Sequence, residues 1–232
     1  MNVRDLIKEV VACTPYIVDV GCGRGGATCT VSSICRGSYV VGIDVECGLV
    51  REACPELPAD FVCGDVSTAP FRNGSFTEAL AFLTLHEVRG DVAESLRGVR
   101  RVLRGVFVVV DKYLARDLSP PQALTLLTEE AYHKALRYAL GIRVWGVRTA
   151  GEVVKALSSA GFRVVEVREL EVGEWVDGKE FLERWGRDTL RLVKLIRDKG
   201  GRAEVEDLIR RIRERALRHG YGPLKLLVII SE

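Results

Sequence analysis

The chain has 232 residues, of which 47% are hydrophobic and 28% charged, with a formal net charge of +2. That length suits one well-buried α/β domain with additions, and that composition argues against wholesale disorder and against any overall pull toward nucleic acid or anionic lipid. No apolar run approaches the ~18 residues of a membrane span, and the charged, amphipathic N-terminus does not read as a signal peptide, so a cytoplasmic protein with no membrane partner is expected.

In chain order, Asn2 to Ala12 predicts a short helix with Val3, Leu6, Ile7, Val10 and Val11 on one face. The organising stretch follows: Tyr16-Ile17-Val18-Asp19-Val20, then Gly21-Cys22-Gly23-Arg24-Gly25-Gly26. A β-branched run that ends in glycines before the helical segment Ala27 to Cys35 predicts a strand feeding a tight turn at a helix N-terminus. Glycine there admits a close ligand, and the helix end offers unpaired N–H groups. Gly21, Gly23 and Gly26 satisfy a dinucleotide fingerprint, with Asp44 at about the expected offset of ~20 residues. Asp19 argues otherwise. Burying an acid costs several kcal/mol unless it is paired, so a carboxylate two positions before the first glycine points to a cationic, donor-rich ligand. The alternative is that Asp19 only caps the turn.

Strands are predicted over 38–43, 61–63, 77–83, 106–110 and 162–170, with a final apolar strand from Leu224 to Ile230. Helices are predicted over Cys47 to Cys54, stopped by Pro55 and Pro58, over 91–103 behind an Asp91…Glu94 capping box, and behind a Thr149…Glu152 box. Repeated strand–helix alternation argues for a parallel sheet with helices on both faces. All seven cysteines lie between Cys13 and Cys63, and none forms a C-x-x-C pair, so no metal-binding pattern is expected. They read first as small packing residues. Structural disulfides are the alternative.

The glycine stretch resembles the first motif of class I S-adenosylmethionine-dependent methyltransferases, an acid followed by G-x-G-x-G. Val40-Val41-Gly42-Ile43-Asp44 resembles their second strand, and Phe61-Val62-Cys63-Gly64-Asp65-Val66 their third. Ala79 to His86 resembles the fourth strand and its loop, and Arg101-Val102-Leu103 before Val106 to Val110 the helix end and fifth strand. The usual Pro-Gly-Gly turn is missing there, which leaves Arg104-Gly105 to make a shorter connection. The resemblance implies an α/β, Rossmann-like, seven-stranded, mostly parallel sheet whose last strand enters antiparallel between the fifth and sixth. It also implies S-adenosyl-L-methionine as cofactor. Asp19, Gly21, Cys22 and Gly23 would seat its methionine portion, Asp44 and Val45 its ribose, and Gly64, Asp65 and Val66 its adenine, with Phe82 and Leu83 alongside.

Residues 1–232 are read as a single domain with two helical additions. Lys112 to Val147 is expected to form a lid over the acceptor, with a helix from about Pro121 to Leu140. Val172 to Gly222 is an appendage with helices over about 178–198 and 202–219, read as a salt-bridged helix pair or as an acceptor-binding or homodimerising surface. His86, at the loop after the fourth strand, is the candidate catalytic residue, as a general base or an orienting hydrogen-bond group. Glu87 and His133 rank behind it. The fourth strand lacks the Asp/Asn-Pro-Pro-Tyr signature of nucleic-acid amino methylation, and no Pro-Cys pair is present, so a small-molecule acceptor is expected. The alternatives are an RNA methyltransferase using the basic appendage, a non-catalytic S-adenosylmethionine-binding protein, and an NAD oxidoreductase.

Overall fold

The computed structural model describes residues 1–50 and 59–232. β1 (Tyr16–Val20), β2 (Tyr39–Asp44), β3 (Ala59–Cys63), β4 (Phe76–Phe82), β5 (Leu103–Lys112), β6 (Val164–Val172) and β7 (Leu224–Ser231) form one sheet in the order β3-β2-β1-β4-β5-β7-β6. All pairings are parallel except those of β7, which runs antiparallel to both β5 and β6. That is the expected Rossmann-like arrangement with its antiparallel last strand.

The strands alternate between two cores, as period-2 side-chain geometry requires. Ile17, Leu80 and Val108 pack beneath α1 (Val3–Val10) and α2 (Gly26–Ile34), with Leu6, Ile7 and Val31. Val18, Ala79, Phe107 and Ile229 face the other way, against Leu96 and Val99 of α4 (Val92–Val102) and Leu157 of α6 (Ala150–Ser159). Buried Glu78 of β4 accepts the N–H groups of Ala12 and Thr14, at 2.8 and 3.2 Å, which ties the segment after α1 to the sheet.

Several local expectations change. No connection separates α4 from β5, because Leu103 caps the helix and already pairs with Phe76, so Arg104 and Gly105 are strand residues. Asp91 caps α4 through the Ala93 N–H instead of a reciprocal box with Glu94, whereas the Thr149–Glu152 box on α6 closes both ways. The first appendage helix is two helices, α7 (Gly178–Arg184) and α8 (Arg187–Leu195). Gly186, at φ +89°, breaks the continuity, since an L side chain disfavours that conformation. The second is α9 (Lys199–His219). α3 spans Cys47–Val50, and the expected continuation past it, with its proline stops, falls outside the described residues.

The cysteines are not mainly packing residues. Disulfides join Cys13 to Cys35 and Cys47 to Cys63, and Cys22 is the free cysteine among the described residues. The parallel register puts Cys63 beside Asp44, three residues before Cys47, so cysteines 16 residues apart in sequence become neighbours.

α5 (Pro120–Leu140) and the appendage form one layer. Leu124, Leu127 and Ala131 pack with Phe181, Leu208, Ile212 and Ala216, and further along Ala135 and Leu136 pack with Leu192, Ile196, Val205 and Ile209. Some exposed charges of the appendage pair locally, Arg184 with Glu180, Arg191 with Asp188, and Arg210 with Asp207 and Glu214. Among the described residues no helix is long and apolar enough to cross a membrane.

Candidate active site

The C-terminal ends of β1 to β5 gather the chemistry, as expected for ligands of open α/β sheets. β1 ends in the turn Gly21–Gly25. The N–H groups of Gly21 and Cys22 both reach the Ile43 carbonyl, at 2.8 and 3.1 Å, locking the turn onto β2. Gly21 (φ +74°) cannot be replaced without strain, and a Cβ there would lie 2.1 Å from Thr84 Cγ2. The Thr84 hydroxyl holds the Gly21 carbonyl at 3.2 Å, so the turn is also fastened to the segment after β4.

Asp19 is fully buried behind this turn. Its Oδ2 accepts the Thr28 hydroxyl at 2.6 Å, while its Oδ1 has no partner. Burial pushes its carboxyl up to about 6 from the ordinary 3.8, against the stabilising bonds from Thr28, and nearby Asp44 adds to the rise. Asp44 ends β2 with its two oxygens on different loops. Oδ2 accepts the Gly23 N–H at 2.8 Å and Oδ1 the Glu46 N–H at 2.9 Å, leaving lone pairs on both. Asp65, beyond β3, is exposed and folds its own turn through the Ser67 N–H at 2.8 Å, and Val66 is buried beside it. Gly64 hydrogen-bonds the Asp44 carbonyl at 2.9 Å. Val45 is exposed at the β2 tip, and Phe82 and Leu83 are half-buried at the β4 tip, Leu83 at φ +55°. The Cys22 thiol is pushed up to about 12, by burial first and then by Asp19 and Asp44, and so is no nucleophile.

These residues fit S-adenosylmethionine on two observations. A buried carboxylate oxygen without a partner suits an ammonium, and a Cβ on Gly23 would meet nothing within 4 Å, so the turn leaves open space beside bare backbone.

A second cluster stands beyond β4 and β5. A short 3₁₀ turn, Leu85–Glu87, carries His86, which is 3% exposed. Asp111, at the end of β5 and equally buried, clamps it twice, accepting the His86 N–H at 3.0 Å on Oδ2 and lying 2.5 Å from Nδ1 with Oδ1. Burial disfavours the imidazolium, but the charge and hydrogen bond of Asp111 outweigh it and raise the His86 pKa above its ordinary value. α5 brings Glu129 and His133 to the same place, and Lys112 Nζ holds Glu129 Oε1 at 2.5 Å. Gly146 reaches back to the His86 carbonyl at 3.0 Å, so the insert from 112 to 147 is pinned to this turn at both α5 and its far end.

Thr28, Asp111, Lys112 and Glu129 belong to these two clusters and were not singled out from the sequence. Asp111 had a signal, being a fourth acid that ends an apolar strand. Glu129 also had one, four residues ahead of His133 on a helix and hence on its face.

The seven-stranded sheet with its antiparallel β7, the acid before the glycine turn and the acids at the next two strand tips define the class I methyltransferase fold. Residues 18–109 match the family described as Methyltransferase domain, and the match implies S-adenosylmethionine as cofactor. Residues in this region are 28% identical, over 110 residues, to the mitochondrial arginine-hydroxylase NDUFAF5 of Danio rerio, covering 46% of this chain and 34% of that one. They are 29% identical, over 111 residues, to norajmaline N-methyltransferase of Rauvolfia serpentina, covering 45% and 38%. The chain thus spans little more than a third of the length of these relatives. A solved S-adenosylmethionine-dependent methyltransferase from Mesorhizobium loti superposes with a TM-score of 0.58 at 20% identity, over 98% of this chain and 96% of that one, which is a likeness of fold.

Proposed function

We propose that this protein transfers a methyl group from S-adenosylmethionine to a small-molecule acceptor. The observation that carries the reading is the set of three carboxylates, Asp19 on β1, Asp44 at the end of β2 and Asp65 just beyond β3, at the C-terminal ends of adjacent strands. In this reading Asp19 takes the ammonium, with Gly21, Cys22 and Gly23 as the backbone wall of the methionine portion. Asp44 accepts the ribose hydroxyls on its remaining lone pairs, with Val45 beside it. Gly64, Asp65 and Val66 hold the adenine, and Phe82 and Leu83 close the β4 side.

When bound, the cofactor supplies a methyl group already activated on a sulfonium, so the protein's task is alignment more than bond activation. His86 is the proposed acceptor-side residue. Asp111 fixes its Nδ1, which leaves Nε2 to orient the acceptor or take its proton. Glu129 and His133 arrive from α5, so the insert acts as the lid and the polar groups facing the acceptor are enclosed. That enclosure, and the absence of a nucleic-acid signature at the end of β4, favour a small polar acceptor. Arg184 and Arg210 of the appendage are held in local ion pairs, which reduces their attraction for RNA.

Asp44→Ala should weaken S-adenosylmethionine binding by about 1–3 kcal/mol, the worth of hydrogen bonds to a charged group. Calorimetry of the wild type and variant checks this, and equal affinities reject the ribose assignment. Cofactor binding without methylated product across a broad acceptor screen would replace the enzyme with a binding protein.

A further inference from the structure

The acceptor-side cluster has a geometry that the methyl-transfer reading leaves unused. His86 Nε2 lies 3.6 Å from Glu87 Oε1 and 3.6 Å from Glu129 Oε2. His133 Nε2 lies 3.6 Å from each of the same two oxygens. At that distance none of the four contacts is a hydrogen bond, and His133 Nε2 is buried with no partner. Two imidazole nitrogens and two carboxylate oxygens therefore face one another in alternation, close but unbonded. One donor atom each from His86, Glu87 and Glu129 falls within a mutual 4.8 Å.

We infer that His86, Glu87 and Glu129 form a binding site for one divalent first-row transition ion, with His133 beside the two glutamates as a neighbour outside the three-ligand set. Ligands at about 2.0–2.2 Å from a tetrahedral ion stand about 3.3–3.6 Å apart, and His86 Nε2 lies 3.6 Å from both Glu87 Oε1 and Glu129 Oε2, the spacing of protein ligands that leave a further position open. The donor set narrows the ion. Mixed imidazole and carboxylate ligands suit zinc, iron(II) or manganese, whereas calcium and magnesium take oxygen alone.

The surroundings support the same conclusion. Asp111 holds Nδ1 of His86, the outer-shell contact that orients a metal-bound histidine and leaves Nε2 for the ion. With the metal bound, the ion takes the place of the direct contact between Nε2 and the acceptor. Lys112 occupies Oε1 of Glu129, and Oε2 is the oxygen that faces the histidines. Three carboxylates, those of Glu87, Glu129 and Asp111, gather against the single ammonium of Lys112. The elements explain why the four groups converge: His86 and Glu87 share one turn after β4, and Glu129 and His133 are one helical turn apart on α5. An ion there would clasp α5 to the sheet beside the acceptor.

The site is independent of cofactor binding and is testable without it. Tag-free protein, stripped with chelator and titrated with Zn²⁺ in a calorimeter, is expected to bind about one equivalent. Glu129→Gln should weaken that binding by at least about tenfold. Substitution with Co²⁺ should give the visible absorption of a low-coordinate nitrogen–oxygen site, lost in Glu129→Gln. Thermal melts of the metal-free variant confirm that it folds, and its S-adenosylmethionine affinity, measured separately, should match the wild type. Stoichiometric binding that the variant retains at wild-type affinity, or no binding of Zn²⁺, Co²⁺, Mn²⁺ or Fe²⁺, overturns the inference and leaves an ion-pair network only.

Discussion

Asp19 sets folding against function within one side chain. Its carboxyl titrates at about 6 in the native state and at the ordinary 3.8 when unfolded, so the native state binds the proton more tightly. Stability therefore falls as pH rises between those two values, and the full penalty applies above about 6, worth about 3 kcal/mol. Asp19→Asn, which keeps the size and an acceptor for Thr28, should stabilise the cofactor-free protein at about pH 8 and change little near pH 3.5. The same variant should lose S-adenosylmethionine affinity. Denaturant unfolding at the two pH values reads the first effect, and an equal gain at both would remove burial as the cause. Gly21→Ala tests the turn beside it. The positive φ and the blocked space at Thr84 should together cost about 1–3 kcal/mol of stability, and cofactor binding with it. A circular-dichroism melt checks that.

Elements show where local chemistry was enough to read the fold and where it was not. The β1 tip, the Thr149–Glu152 box and the lengths of α5 and α9 follow from period, caps and glycines that are contiguous in sequence. The three acids at the strand tips were legible for the same reason, since each ends its own apolar run. The Cys47–Cys63 pair was not, because it depends on the register of β2 against β3. Nor was the clamp of Asp111 on His86, which needs β4 and β5 side by side in parallel. The disulfide bears on function through its place. It joins the segment after Asp44 to the residue before Gly64, fixing the loops that carry the second and third acids. Closing the 16-residue separation of Cys47–Cys63 and the 22 of Cys13–Cys35 is worth about 3 kcal/mol each on the chain-entropy account. Reduction should lower the melting temperature and weaken S-adenosylmethionine binding. Cys13→Ser with Cys35→Ser should show the stability loss with the smaller effect on affinity, because that bridge ties the segment after α1 to the end of α2. Equal affinity in oxidised and reduced protein would separate the Cys47–Cys63 bridge from the site.

At the scale of the whole molecule, α5 links two bodies of contacts. One face joins the appendage through Leu124, Ala131 and Ala135 against α9. The other meets the sheet through Lys112–Glu129, the two histidines and the bond from Gln122 to Glu171 of β6 at 2.8 Å. The sequence separates the insert from the appendage by the 24 residues 148–171 of sheet and helix, so their union shows only in three dimensions. The acceptor side should then depend on packing far from it. Ile212 of α9 is fully buried against α5 and touches neither proposed site. Ile212→Ala should cost about 2–5 kcal/mol in the transfer and cavity terms of a large-to-small core change. If α5 is held in place from the appendage side, hydrogen exchange in this variant should quicken in α5 and in residues 84–89, while β1, β2 and the glycine turn keep their protection. The affinity for S-adenosylmethionine should stay near wild type while the capture of acceptor weakens. Faster exchange confined to α9, with 84–89 unchanged, would show that the appendage is a separate body with no grip on the acceptor side.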